Sequence, residues 1–147
     1  MAREVREHVA VAALAENGHC YVLADGSGRL EPTLCARRVV SLHEAWKADC
    51  VVAETNNGGD LVPELLRRFA PNLPVHKITA ARGKVTRAEP ASALYDTGGA
   101  HRVGCFPLLE AQMTASTPHM ERASQGSPDR VDAVVWAISD LLKGPPQ

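Results

Sequence analysis

Hydrophobic and polar positions divide the chain into short blocks of two kinds. His8 to Leu14 and His19 to Ala24 are apolar stretches separated by Ala15-Glu16-Asn17-Gly18, and Asn-Gly between such runs predicts an antiparallel hairpin. Asp25-Gly26-Ser27-Gly28 then forms a polar turn. From Pro32 to Ala48 the apolar positions Leu34, Val39, Leu42, Ala45 and Trp46 recur at helical intervals, and Pro32 and Thr33 suit a first turn. Cys50 to Ala53 is an unbroken apolar run containing two valines, the pattern of a strand covered on both faces, and Glu54 closes it. Thr55, Asn56, Asn57, Gly58 and Gly59 favour a turn, with Asp60 placed to cap a helix over Leu61 to Phe69. Pro63 is tolerable there because it lies in the first turn.

Pro71-Asn72-Leu73-Pro74 ends that helix, and Val75 to Thr79 reads as a short strand. Two strand-helix units in succession predict a parallel sheet with right-handed crossovers. Arg82 to Pro90 is a basic segment leading into a helix over Ala91 to Asp96, with a kink or boundary at Pro90. Gly98 to Gly104 suggests a turn and a small strand, Phe106 to Met113 a short helix, and Thr114 to Ser127 a loop near the site. The last helix takes Ser127 as N-cap and Pro128 in its first turn, with a core stripe of Val131, Val134, Val135, Ile138 and Leu142.

Composition narrows the class. A chain of 147 residues fits one domain with a proper core, and 45% hydrophobic with 22% charged residues is ordinary for a globular protein. No run approaches the roughly 18 apolar residues that span a bilayer, so a cytoplasmic location and no membrane partner are expected. A net charge of -1 argues against a grip on nucleic acid by overall charge, though not against a local basic face. The four cysteines show no C-x-x-C spacing and are expected as free, mostly buried thiols, and the six histidines form no H-x-x-x-H pair.

The carboxylates carry the chemistry. In open α/β sheets ligands gather at the carboxyl ends of strands, which singles out Glu54 over the plainer reading of a solvated surface acid. Asp129 and Asp132 stand three apart at the start of the last helix. An acid in a first helical turn is favoured by the helix dipole, which accounts for Asp129 better than for Asp132, set among apolar residues and in greater need of a partner. Carboxylates gathered at one place require a hard cation, and Mg²⁺ or Mn²⁺ in pairs promotes phosphodiester cleavage. Lys84 and Arg87 would share a helical face able to meet a phosphate backbone, and a solvated charged face explains them nearly as well.

Four phrases in fixed order are more specific than any one: Val-Val-Ala-Glu-Thr-Asn-Asn-Gly-Gly-Asp-Leu-Val (51 to 62), Ala-Arg-Gly-Lys-Val-Thr-Arg-Ala-Glu-Pro (81 to 90), His-Arg-Val-Gly-Cys-Phe-Pro-Leu-Leu-Glu-Ala-Gln-Met (101 to 113) and Ser-Pro-Asp-Arg-Val-Asp-Ala-Val-Val-Trp-Ala (127 to 137). Together with Tyr-Val-Leu-Ala-Asp (21 to 25) they resemble the C-terminal nuclease domain of the large terminase subunit of tailed bacteriophages and prophages. The resemblance implies an RNase H-like α/β fold, in which an antiparallel hairpin is followed by parallel strand-helix units in a mixed sheet with helices on both faces. It also implies cleavage of concatemeric DNA during packaging by acids that bind two Mg²⁺ or Mn²⁺ ions. The implied partners are double-stranded DNA, the terminase ATPase domain, the small terminase subunit and the portal, in the cytoplasm of a bacterial host.

Position by position, Glu54 matches the family's acid at the end of the fourth strand and Asp132 its acid on the final helix, with Asp129 as a further ligand or neighbour. Lys84 and Arg87 fall in the family's basic phrase, for DNA or for ordering the site, and Asn56 and Asp60 hold the turn behind Glu54. The family's other aspartate, on a first central strand, has no counterpart in Met1 to Glu7, and the ATPase motor and its Walker motif are absent as well. Residues 1 to 147 are therefore expected as one N-terminally incomplete nuclease domain, impaired by loss of a ligand. The hairpin should close against the Glu54 strand or leave an edge open. Asp25 ends a different strand, at an end of the sheet that argues against a ligand role. Competing readings are a catalytically inactive remnant serving in DNA or protein association, and another RNase H-like nuclease such as a junction resolvase. The nuclease reading expects the Glu54 and Asp132 carboxylates roughly 4 to 8 Å apart.

Overall fold

The computed structural model describes residues 5–55, 61–79, 83–115 and 129–144. The chain divides into two compact units, one formed by Met1–Glu7 and Gly26–Ala81, the other by His8–Asp25 and Arg82–Gln147.

In the first unit, β1 (Val5–Glu7) pairs antiparallel with β4 (Gly28–Leu30). Helix α1 (Pro32–Trp46) starts on proline, as its sequence predicts, and stops at Lys47 in a left-handed conformation. The amide of Lys47 bonds the Glu44 carbonyl and that of Ala48 the His43 carbonyl, a Schellman closure of the last turn. Helix α1 packs against α2 (Leu61–Phe69). The buried stripe of α1 is Cys35, Ala36 and Val39, and α2 contributes Pro63 and Leu66. Leu34 and Trp46, expected inward from helical spacing, are exposed, because the buried face of α1 is rotated by about one residue onto the smaller side chains beside Leu34. Strand β5 (Val51–Glu54) runs parallel to β6 (Val75–Ile78), from Val51 opposite Val75 to Glu54 opposite Ile78. The predicted parallel pairing of the two strand-helix units is thus present.

In the second unit, β2 (Ala10–Leu14) and β3 (Cys20–Asp25) form the predicted hairpin. Gly18 turns it at φ +81, a conformation that favours glycine, and the Asn17 side chain accepts the amide of His19. Strand β7 (Ala100–Arg102) joins β3 in parallel, giving a mixed sheet in the order β2-β3-β7. Helix α5 (Asp129–Leu142) packs mainly on β2, and α3 (Lys84–Asp96) and α4 (Pro107–Ala115) pack against α5. Cys20, Val22, Ala91, Ala100, Leu109, Val134, Val135 and Ile138 form the core. The expected stripe on the last helix is confirmed at Val134, Val135 and Ile138, whereas Leu142, in its final turn, is exposed.

Helix α3 departs from expectation. It begins at Lys84 and runs through Pro90 without a boundary. A mid-helix proline forfeits one backbone bond, and the contact of α3 along α5 outweighs that local preference. The four cysteines are free, as expected, with Cys20 and Cys35 buried, Cys50 partly so and Cys105 exposed. Among the described residues no helix is long and apolar enough to cross a membrane.

Candidate active site

Glu54 ends β5 in the first unit, exposed at the carboxyl end of the strand. The next residue, Thr55, continues the ladder: its amide and its hydroxyl both donate to the Ile78 carbonyl, at 2.9 and 3.3 Å. These bonds fix the backbone beside Glu54 as it leaves the sheet. Asn56 and Asp60, assigned to the turn behind it, lie outside the described residues.

Asp132 belongs to the second unit, in the first turns of α5, and is 8% exposed. A carboxylate so placed needs a compensating charge. Arg87 of α3 supplies it, donating Nη2 to Oδ1 at 2.8 Å. The same guanidinium lies over the Trp136 ring, 4.9 Å from its centroid. Trp136 is one turn beyond Asp132 on α5, so a single arginine spans both on one helix face. Arg87 therefore compensates the Asp132 charge and fixes the orientation of its carboxylate. Lys84 opens α3 and Asp129 opens α5.

A second buried pair ties α5 to the sheet. Arg130 Nη1 donates to Asp25 Oδ2 at 2.6 Å, both side chains being largely buried. Asp25 is the last residue of β3, so that strand's carboxyl end meets the start of the final helix. The sequence argues only against a ligand role for Asp25, and its ion pair with Arg130 is a separate, structural role. Gln112 of α4 accepts the backbone amides of Arg130 and Val131 through Oε1, at 3.0 and 3.4 Å, satisfying donors that a helix start leaves open. Neither Arg130 nor Gln112 carried a periodicity or spacing signal, since each acts across elements far apart in sequence.

On the same sheet, Tyr21 and His101 stand opposite each other in the β3/β7 register, with His19 two positions before Tyr21. His19 Nδ1 and His101 Nε2 are 2.9 Å apart, and their ring centroids are 5.1 Å apart with planes 18° apart. That separation accommodates the N···N contact and both ring radii end to end, so the imidazoles meet edge to edge in nearly one plane. One nitrogen must carry the proton and the other the lone pair. In the core behind them, burial pushes the Cys20 thiol above its usual range. Burial does the same to the Tyr95 hydroxyl, an effect countered in part by Arg102 and reinforced by Cys20.

A family model described as the terminase RNase H-like domain matches residues 8–141. The chain belongs to this terminase RNase H-like family. Among solved structures, a yeast mitochondrial Holliday junction resolvase resembles it with a TM-score of 0.59 at 11% identity, over 90% of this chain and 71% of that one. At that identity the likeness shows the fold, which is α/β and RNase H-like. No curated protein matches the chain. The terminase match spans both units, so the β5 strand ending in Glu54 and the α5 helix carrying Asp132 both fall inside the family's nuclease fold.

Proposed function

We propose that the chain is the DNA endonuclease domain of a phage or prophage terminase, cutting concatemeric DNA during genome packaging in the host cytoplasm with Mg²⁺ or Mn²⁺. The observation that carries this reading is the buried carboxylate of Asp132, held on α5 by Arg87 within a terminase RNase H-like domain. The donor chemistry fits a hard cation: Asp132 offers carboxylate oxygens and Glu54 another at a strand end. Asp129 would be a neighbouring oxygen donor on the first turn of the same helix. Bound there, a cation pair would supply charge neutralisation for the phosphodiester and an activated water.

The chain's own residues supply the positioning. Arg130 and Gln112 anchor the start of α5 and Arg87 orients Asp132, and Lys84, from the same basic phrase, would offer positive charge to a DNA backbone. An ATPase domain, a small terminase subunit and a portal would be its partners in packaging. The test is plasmid nicking in Mn²⁺ by the full chain beside Glu54→Ala and Asp132→Ala. Cutting that either substitution reduces at least about a hundredfold supports the reading, since loss of a metal ligand removes several kcal/mol of transition-state stabilisation. Cutting that both variants retain excludes these acids. No cutting by any of the three favours a remnant confined to association.

The resolvase likeness in fold motivates a second reading, action on branched DNA. Preference for a four-way junction over linear duplex of the same sequence would establish it.

A further inference from the structure

Asp132 and a neighbouring arginine set a condition on cation loading. The Oδ1 atom of Asp132 accepts from Arg87 at 2.8 Å, with the two side chains 9% and 10% exposed. Little water is available to screen this contact, and the guanidinium matches the carboxylate's charge. A divalent cation arriving at the same carboxylate, whether at Oδ2 or sharing Oδ1, meets a fixed positive charge within a few ångströms and draws on the same negative charge. The carboxylate cannot serve both at full strength.

We propose that Arg87 is a resident counter-ion which a divalent cation must draw away from Asp132, and that Trp136, 4.9 Å beneath the guanidinium, reports the exchange. The proposal rests on the cation site assigned to Asp132 above, and it makes Arg87 a positioning residue that tunes affinity. When the cation is bound, the guanidinium loses its contact with Oδ1 and shifts on the indole face, altering the ring's local field. When the cation leaves, the arginine returns and the buried acid stays compensated. The arrangement keeps α5 and α3 docked in the absence of metal and limits how tightly metal is held.

The chain contains two tryptophans, so Trp46→Phe leaves Trp136 as the sole indole reporter. In that background Mg²⁺ is titrated while Trp136 emission is followed, and Mn²⁺ affinity is measured by the electron paramagnetic resonance of the free ion. The expected result is a saturable change in Trp136 emission, and a Mn²⁺ dissociation constant lowered on the order of tenfold by Arg87→Gln, the scale of one charge-assisted hydrogen bond. Arg87→Lys should fall between, because the ammonium keeps the charge without the planar fork. Because Arg87→Gln strips a buried acid of its partner, its melting temperature is followed as well. It should drop, and Mn²⁺ should restore more of it than Mn²⁺ adds to the unsubstituted chain. If Arg87→Gln does not fold, Arg87→Lys decides by its own affinity.

A Mn²⁺ affinity unchanged or weakened in the Arg87 variants overturns the proposal, as does an emission indifferent to bound Mg²⁺. Asp132→Asn separates the two levels. If it leaves Mn²⁺ binding intact, the cation site itself is misassigned. If it abolishes binding while the Arg87 variants bind no tighter, the site stands and only the competition fails.

Discussion

Tyr95 carries a buried hydroxyl with no hydrogen-bond partner among the described residues, packed at the edge of the second unit's core. An unmet buried polar group costs stability that an apolar substitute of the same shape recovers. Tyr95→Phe should therefore leave the fold intact and raise the unfolding free energy by about 1 kcal/mol, read by urea denaturation at neutral pH. Asp132 behaves in the opposite way, because its burial is matched by Arg87. Its need for a partner was legible in the sequence from an acid set among valines, while the partner's identity was not. Arg87 lies forty-five positions away in a segment whose charge was equally consistent with a solvated face. Asp25 illustrates the limit further, since only the packing of α5 reveals that its strand end meets Arg130.

Elements were more legible than contacts. The hairpin around Asn17-Gly18, the strand ending in Glu54 and the final helix are where periodicity and turn chemistry place them. Local rules failed where packing overrides them, as in α3, which crosses Pro90 because its neighbour α5 holds it. Helix α1 shows another override at its end. Lys47 occupies a left-handed conformation at φ 50 and ψ 45 in a closure normally made by glycine. Lys47→Gly should raise stability by about 0.5 kcal/mol, the relief of the backbone strain less the added freedom of the unfolded chain. A rise in thermal midpoint with an unchanged circular dichroism spectrum would confirm it, and a fall would show that the lysine side chain stabilises this end. Helix α5 should be far less tolerant. Ile138→Ala at a fully buried position should cost about 2 to 5 kcal/mol, measured as a lowered denaturation midpoint.

At the scale of the whole molecule, Cys20 and Tyr95 impose an alkaline limit. Burial raises both above their ordinary values, so the folded chain keeps protons that the unfolded chain releases first. Their contribution to stability is fully present below about pH 8.5 and declines as pH rises through the folded values. Unfolding free energy measured from pH 7.5 to 10.5 should slope downward, and Tyr95→Phe should flatten the upper part of that slope. The family and fold were legible from ordered motif phrases, and the division into two compact units was not, because it depends on which segments fold back on one another.

The covering of β2 by α5 has a consequence for biosynthesis. The hairpin is synthesised before the last helix and waits for it before its oily side is sheltered, because the intervening segments supply only part of the cover. Ribosome-bound chains halted before Asp129 emerges should therefore be open to protease and to chaperone capture, and release of the final helix from the exit tunnel should end that exposure.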